Sequence, residues 1–214
     1  MTTQSLPAVD APAPARERMS WQRCKSLIAS DLYRYDAALD SRTFWRHFWF
    51  TPGFRYSVAL RLSAYARSRR WARYGFRQFM SLMLYRYSVR YGISISPHTP
   101  VGPGLYIGHF GGIHVNQGAA IGANCNLQQD VTLAKANRGE RAGAPVIGDN
   151  VFIGAGAKII GHVHVGDGAA IGANAVVTKD VPPGMAVAGI PARVVSDQGS
   201  AGYVNRTGYP PIRD

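Results

Sequence analysis

The chain has 214 residues, of which 46% are hydrophobic and 17% charged, a composition typical of one or two folded domains. No stretch approaches the roughly 18 apolar residues that a membrane-spanning helix needs, so none is expected. The net charge is +12 and uneven: residues 1–92 hold 16 Lys and Arg against 5 Asp and Glu, whereas residues 93–214 hold 8 against 7. This asymmetry indicates either an anionic partner or an Arg-rich, solvated helical surface.

The first 20 residues are rich in Pro, Ala, Ser and Thr and lack the apolar segment of a signal peptide. They are predicted to be a disordered tail. The two cysteines, Cys24 and Cys125, fall in different predicted segments and have no metal-binding spacing. Without an export signal, the expectation is a cytoplasmic protein with reduced thiols.

Residues 21–92 are predicted to form a basic α-helical domain. A helix is expected from Trp21 to Leu39, then an aromatic cluster at 44–50, and two more helices at about 54–69 and 73–91. In the helix at 54–69, apolar residues share one face and arginines occupy the others. Such helices either lie on an anionic membrane surface or, more commonly, pack on each other and on the second domain. Nucleic-acid binding is not expected, because no known motif accompanies the charge.

From residue 95 to residue 177, aliphatic residues recur every six positions, and a small residue, usually Gly, follows most of them. This period fits neither an α-helix nor a long strand. It is the signature of a hexapeptide β-helix, in which three short strands form each triangular coil. A mainly β fold is therefore predicted, with a parallel β-helix over residues 93–195. The repeating aliphatic positions are Ile95, Val101, Ile107, Val115, Ile121, Leu127, Leu133, Ile147, Ile153, Ile159, Val165, Ile171 and Val177.

The longest interruption of the period lies at residues 134–145, a charged, turn-like segment that carries Arg138 and Arg141. Loops that leave a regular solenoid tend to lie at its functional face, so this segment is expected to protrude there. Residues 196–214 contain Gly and Pro and are expected to form a C-terminal tail, packed as an extended strand or loose.

His109 is the strongest candidate for chemistry, because the run Gly108-His109-Phe110-Gly111-Gly112 leaves space around its ring. A histidine can take a proton from an alcohol at neutral pH. The ordinary alternative is a turn histidine without a catalytic role. His114 is a candidate to line the same pocket. No metal site is expected, since no carboxylate or cysteine stands at a matching distance from the remaining histidines.

No nucleophile elbow, P-loop or dinucleotide-binding pattern occurs in the sequence. Covalent hydrolysis and nucleotide-dependent phosphoryl transfer are therefore not expected. Direct attack of a hydroxyl on a thioester needs only a base, donors for the oxyanion and a groove for coenzyme A. The corner of a β-helix can supply all three.

Residues 93–195 resemble the serine acetyltransferase branch of the left-handed β-helix acyltransferases. The likeness rests on four runs in the same order, at 127–133, 153–161, 171–177 and 189–193. In addition, the runs 30–35, 52–56 and 108–112 look like those of a subgroup associated with exopolysaccharide and capsule synthesis.

The resemblance implies a homotrimer of left-handed β-helices that transfers an acetyl group from acetyl-CoA to a hydroxyl without a metal. His109 matches the catalytic histidine of the family, the general base. Ala155 and Ala173 match positions whose backbone contacts coenzyme A. Lys179 and Arg193 are candidates to meet its phosphates.

The departures from the family pattern concern the acceptor. Ser94 and Gly108 stand where the family carries Asp, and Gly143-Ala144-Pro145 stands where it carries Arg-His-Pro. Asp130 is therefore a further site candidate: it, or a backbone carbonyl, is expected to orient His109.

Three hypotheses follow. Because the residues that hold serine are missing, the main one is an O-acetyltransferase acting on a sugar of a surface polysaccharide or its precursor. The second is a serine O-acetyltransferase of cysteine biosynthesis whose rebuilt pocket uses Arg138 or Arg141. The third is a non-catalytic scaffold whose basic helices bind a membrane or a partner. A cytoplasmic location is expected, with peripheral contact at the inner face of the membrane left open.

Overall fold

A computed structural model of the chain describes residues 18–214, so most of the predicted tail at 1–20 lies outside the described residues. The described part opens with four α-helices and one 3-10 turn. These are α1 (Trp21–Tyr35), α2 (Ser41–Phe50), α3 (Pro52–Ser68), the 3-10 turn (Trp71–Arg73) and α4 (Phe76–Tyr91).

Local capping sets two of the helix starts. The Ser20 hydroxyl accepts a hydrogen bond from the Arg23 amide (2.8 Å), and the Asp40 carboxylate accepts one from the Thr43 amide (2.9 Å). The first helix ends at Tyr35 rather than at the predicted Leu39, because the backbone of Asp36 is extended. The aromatic cluster at 44–50, predicted as a separate element, is part of helix α2.

Helix α3 is the centre of the helical domain, since it packs against α1, α2 and α4. Phe54, Tyr56 and Ala66 are fully buried on it. None of the helices in the described part of the chain is both long and apolar enough to cross a membrane.

From residue 93 onward the chain forms short strands that make three sheets. The strands are β1 (Ile93–Ile95), β2 (Tyr106–Ile107), β3 (Ile113–Val115), β4 (Ala120–Ile121), β5 (Asn126–Leu127), β6 (Thr132–Ala134), β7 (Val146–Ile147), β8 (Phe152–Ile153), β9 (Lys158–Ile160), β10 (His164–Val165), β11 (Ala170–Ile171), β12 (Val176–Val177), β13 (Ala186–Ala188) and β14 (Arg193–Ser196).

The five-stranded sheet has the order β1-β3-β6-β9-β12, the three-stranded sheet β10-β7-β4, and the six-stranded sheet β14-β13-β11-β8-β5-β2. Neighbouring strands are parallel except β13 and β14.

The six-residue period places one aliphatic side chain from each strand inside the prism. Ile107, Leu127, Ile153 and Ile171 stack in register through successive coils of the six-stranded sheet. Each is at most 1% exposed. Of the predicted inward positions, Val101 alone is only partly buried. The left-handed β-helix with an N-terminal helical domain is thus confirmed.

A buried ion pair joins the two parts of the fold. Arg61 on α3 donates two hydrogen bonds to the carboxylate of Asp31 on α1, each 3.0 Å long. Arg61 also donates to the carbonyls of Val101 and Gly102 (2.6 Å each), and the Leu105 amide donates to Asp31 (2.8 Å). The first coil is therefore fastened to two helices through one cluster of charge-assisted hydrogen bonds.

Candidate active site

His109 lies on the corner where the first coil passes from the six-stranded to the five-stranded sheet. At the equivalent corners of the later coils, one residue has a left-handed backbone, for example Gly156 (φ 74°). Here two glycines do, Gly111 (φ 108°) and Gly112 (φ 66°). The segment from Ile107 to Val115 spans eight residues, whereas its equivalent from Leu127 to Leu133 spans six, so two extra residues widen this turn. The φ of 108° at Gly111 is open to glycine and strained for other residues.

The hydrogen bonds between coils show the same irregularity. At later corners, the Gly156 amide donates to the Gln129 carbonyl (2.9 Å), and the Asn174 amide to the Ala155 carbonyl (2.8 Å). By that pattern the Asp130 amide would donate to His109, but it donates to the Gly111 carbonyl (2.8 Å). The corner therefore turns outward, and both His109 and Phe110 are exposed on it.

The corner carries other predicted residues farther along. Ala155 and Ala173 each stand two positions after a stacked core isoleucine, as His109 does after Ile107. Coils are about 4.8 Å apart, so His109 and Ala173 are separated by about 14 Å along the corner. Arg193 pairs with Ala188 in the next coil and is exposed at the end of the row. One chain thus brings together the predicted base, the two alanines and one of the two predicted phosphate-binding cations.

The remaining predicted cations lie on a different corner, between the five-stranded and three-stranded sheets. There the segment 134–145 forms a narrow hairpin, closed by hydrogen bonds of 2.9 Å between Ala136 and Gly143. Arg138 is exposed on it, and Arg141 pairs with Asp180 (2.8 Å). The His164 amide and the Arg141 guanidinium hold the pKa of Asp180 below its usual range. Lys179 is exposed beside Asp180 on the same corner.

His114 lies on the outer face of the five-stranded sheet, in register with Ser94 and Thr132. It is exposed, but it stands on a sheet rather than on the corner of His109. Within a single chain, then, the hairpin arginines lie on a different corner from His109, and His114 lies on the strand that follows the His109 corner.

Two polar residues of the next coil, Gln129 and Asp130, follow the position equivalent to His109 or occupy it. The carboxylate of Asp130 lies against Gly112, where a Cβ would overlap it. Sequence reasoning missed Gln129, which occupies the place of His109 one coil along. The side-chain oxygen of Gln129 is buried and has no hydrogen-bond partner among residues 18–214. Its position could have been found by aligning the coils at Ile107 and Leu127.

The two cysteines take no part in this arrangement. Both are free and buried, and burial raises the pKa of each thiol to about 12. A thiol with such a pKa is protonated at neutral pH and is a poor nucleophile.

Comparison with known proteins places this geometry in a family. Residues 144–179 match the family described as bacterial transferase hexapeptide (six repeats). The serine acetyltransferase of Salmonella typhimurium is 39% identical over 113 residues, which are 53% of this chain and 41% of the relative. That of Staphylococcus aureus is 39% identical over 108 residues, 50% of this chain and 51% of the relative. The chain thus spans about half the length of these curated relatives.

Solved structures extend the likeness into the helical domain. Soybean serine acetyltransferase complexed with serine is 31% identical, has a TM-score of 0.67, and the match covers 81% of this chain and 70% of that one. The chain belongs to the serine acetyltransferase family. The family's Brucella abortus enzyme in complex with coenzyme A is 30% identical with a TM-score of 0.66, covering 82% of this chain and 67% of that one. These relatives support the enzyme class and the acetyl-CoA co-substrate expected from the sequence.

The comparisons overturn the expected acceptor. The prediction of a surface-polysaccharide sugar was wrong, because these relatives and solved structures are named serine acetyltransferases. The expected closeness to an exopolysaccharide subgroup finds no support among them. That prediction gave too much weight to three substituted places, Ser94, Gly108 and Gly143-Ala144. The fold shared with a serine complex covers 81% of the chain, whereas the prediction rested on these few positions.

Proposed function

We propose that this chain is an acetyl-CoA-dependent serine O-acetyltransferase with His109 as its general base. The observation that supports it most is the placement of His109, Ala155, Ala173 and Arg193 along one corner of a fold shared with serine- and coenzyme A-bound relatives. In this proposal the thioester lies at His109, and the nucleotide end of coenzyme A lies toward Arg193. The backbone at Ala155 and Ala173 contacts the part of coenzyme A that joins the thioester to the nucleotide.

The reaction is a direct transfer. His109 takes the proton from the serine hydroxyl as the oxygen attacks the thioester carbon. Backbone N–H groups of the corner stabilise the resulting oxyanion. The carbon–sulfur bond then breaks, the acetyl group stays on the serine oxygen, and the coenzyme A thiolate takes up the proton from His109, which becomes neutral again.

We propose further that the working unit is a homotrimer. The support is geometric: the base and the hairpin arginines occupy different corners of one chain, so a complete site needs the corner of one copy beside the hairpin of the next. The hairpin residues Arg138 and Arg141, with Lys179 on the same corner, then approach His109 from a neighbouring subunit. His114 belongs to the strand that follows the His109 corner in the same subunit. A trimer of β-helices supplies such a groove three times.

The acceptor assay tests the proposal directly. The purified chain is incubated with acetyl-CoA and either L-serine or L-alanine, which lacks the hydroxyl but keeps the charged groups. We expect coenzyme A release and a product heavier by one acetyl group with serine, and only slow thioester hydrolysis with alanine. Equal release with both amino acids, measured by thiol titration and mass spectrometry, would contradict a serine acetyltransferase.

Arg138 is proposed to hold the serine carboxylate, because Arg141 is already paired with Asp180. Changing Arg138 to Gln is expected to raise the KM for serine by roughly 10- to 100-fold, the loss of one hydrogen bond to a charged group. The KM for acetyl-CoA should not move. Lys135→Gln, in the same hairpin, is the matched control. If both variants raise the KM for serine equally, the hairpin acts only through its overall charge.

A further inference from the structure

Helix α2 exposes a stripe of aromatic and cationic side chains that the proposed reaction does not use. Trp45 is 53% exposed, Trp49 61% and Phe50 82%. Arg42 and Arg46 are exposed at the spacing that places them beside the two tryptophans on the same face of a helix. At 10 residues, the helix is about 15 Å long.

The opposite face of α2 is anchored in the domain. Phe44 and Phe48 stack on each other and pack with Phe54 of α3. Arg55 lies over the rings of Phe48 and Trp49 at 5.6 Å and donates hydrogen bonds to the carbonyls of both. These contacts fix which face of α2 packs on the domain, so the stripe faces outward.

The charge around the stripe is of one sign. From Ser41 to Gln129 the sequence contains no Asp or Glu, while 41–92 alone carries 11 Arg. The two nearest carboxylates precede the helix: Asp40 caps it, and Asp36 pairs with Arg46. Arg42 makes no ion pair within residues 18–214.

We propose that α2 is a docking surface for an anionic lipid bilayer. Tryptophan is favoured at the boundary between headgroups and acyl chains, where its ring is buried and its N–H stays hydrated. Arginines beside it meet the lipid phosphates, and each basic residue near an anionic surface strengthens binding. In this orientation Trp45, Trp49 and Phe50 enter the interface, while Arg42 and Arg46 remain at headgroup level.

A lipid surface fits this stripe better than the other occupants do. A second copy would bring an equally basic helix against the first, and like charges repel. Single-stranded nucleic acid would use a positively charged groove with stacking platforms, whereas α2 presents the outer surface of a helix.

Vesicle co-sedimentation of the full chain tests the proposal, with a readout independent of acetyl transfer. We expect binding to phosphatidylcholine vesicles containing phosphatidylglycerol and little binding to phosphatidylcholine alone. Trp45→Ser with Trp49→Ser, and separately Arg42→Gln with Arg46→Gln, should each weaken binding about tenfold or more. Valines 194 and 195 are also exposed, on β14. Val194→Ser with Val195→Ser is thus the matched control and should bind like the parent chain.

Several results would overturn the proposal. One is equal binding to neutral and anionic vesicles; another is unchanged binding by the charge variant, which keeps every aromatic ring. If the parent chain did not bind vesicles but bound an oligonucleotide, and the same substitutions weakened that binding, α2 would be a nucleic-acid surface instead. If the parent chain did not bind vesicles and the tryptophan variant no longer self-associated, α2 would be a contact surface for a second copy of the chain. Thermal unfolding of each variant shows that the helix still folds.

Discussion

Replacing His109 with alanine is expected to slow acetyl transfer to serine by about 10²- to 10⁴-fold, the usual contribution of a positioned general base. The affinity for coenzyme A should stay nearly unchanged. The reason is spatial: His109 stands at one end of the corner, whereas Ala173 and Arg193 stand three and more coils away. Initial rates and calorimetric binding of coenzyme A separate the two effects.

The matched control for His109 is another histidine of the first coil. His98 lies between β1 and Val101, on a different corner, with a ring nitrogen 3.2 Å from Arg67. His98→Ala should therefore keep most of the rate. Unchanged turnover in the His109 variant, or an equal loss in both variants, would show that the exposed corner does not carry the base.

The β-helix could be predicted from the sequence because each six-residue repeat corresponds to one side of a coil. Each hexad fixes which side chain points inward, and the structure buries Ile153, Ile159 and Ile171 completely. His109 also stood out, since glycines surround it. The widened corner could also have been found, because Ile107 and Val115 are eight residues apart instead of six. Its outward course could not, because it depends on the backbone angles of Gly111 and Gly112.

The helical domain shows where sequence patterns stop being informative. The apolar face of α3 predicted Arg61 among the outward arginines, yet Arg61 is 4% exposed. Its partner Asp31 is 30 residues away in sequence, and no local period links them. Arg34 is likewise buried, donating to the carbonyls of Gly104 and Asn205 and to the side chain of Asn126. Burial of a cation follows from a tertiary partner, which a single helix pattern does not contain.

The acceptor was misjudged for a related reason. Ser94, Gly108 and Gly143-Ala144 replace residues that the family pattern carries at these positions, and the replacements were interpreted as evidence for a different substrate. A pocket assembled from several corners can recover a contact from elsewhere, for example from Arg138 on the hairpin. Most of the candidate donor residues share one corner, whereas the acceptor candidates lie on more than one segment, so motif positions alone say less about the acceptor.

The largest effect on stability is expected at Asp31. Its side chain is fully buried, and that of Arg61 is 5% exposed. Changing Asp31 to alanine leaves the Arg61 guanidinium buried without its counter-charge and should lower the free energy of unfolding by about 3–5 kcal/mol. The exposed pair between Arg23 and Asp214 is the control, since Asp214→Ala should cost less than about 1 kcal/mol. Urea denaturation measures both.

The Asp31 variant should also disturb the His109 corner, because the same helix anchors the strand before it. Asp31 accepts from the Leu105 amide (2.8 Å), and the Tyr35 hydroxyl bonds both the amide and the carbonyl of Ile107 (3.0 Å each). Amide hydrogen exchange at Leu105 and Ile107 should quicken in Asp31→Ala but not in Asp214→Ala. A double variant, Asp31→Leu with Arg61→Met, removes both charges and should recover much of the stability without restoring the Leu105 hydrogen bond. If exchange at Leu105 returned to the parent rate in that variant, then the unpaired charge of Arg61 in Asp31→Ala, and not the loss of the Asp31 hydrogen bond, would be what loosens the strand before His109.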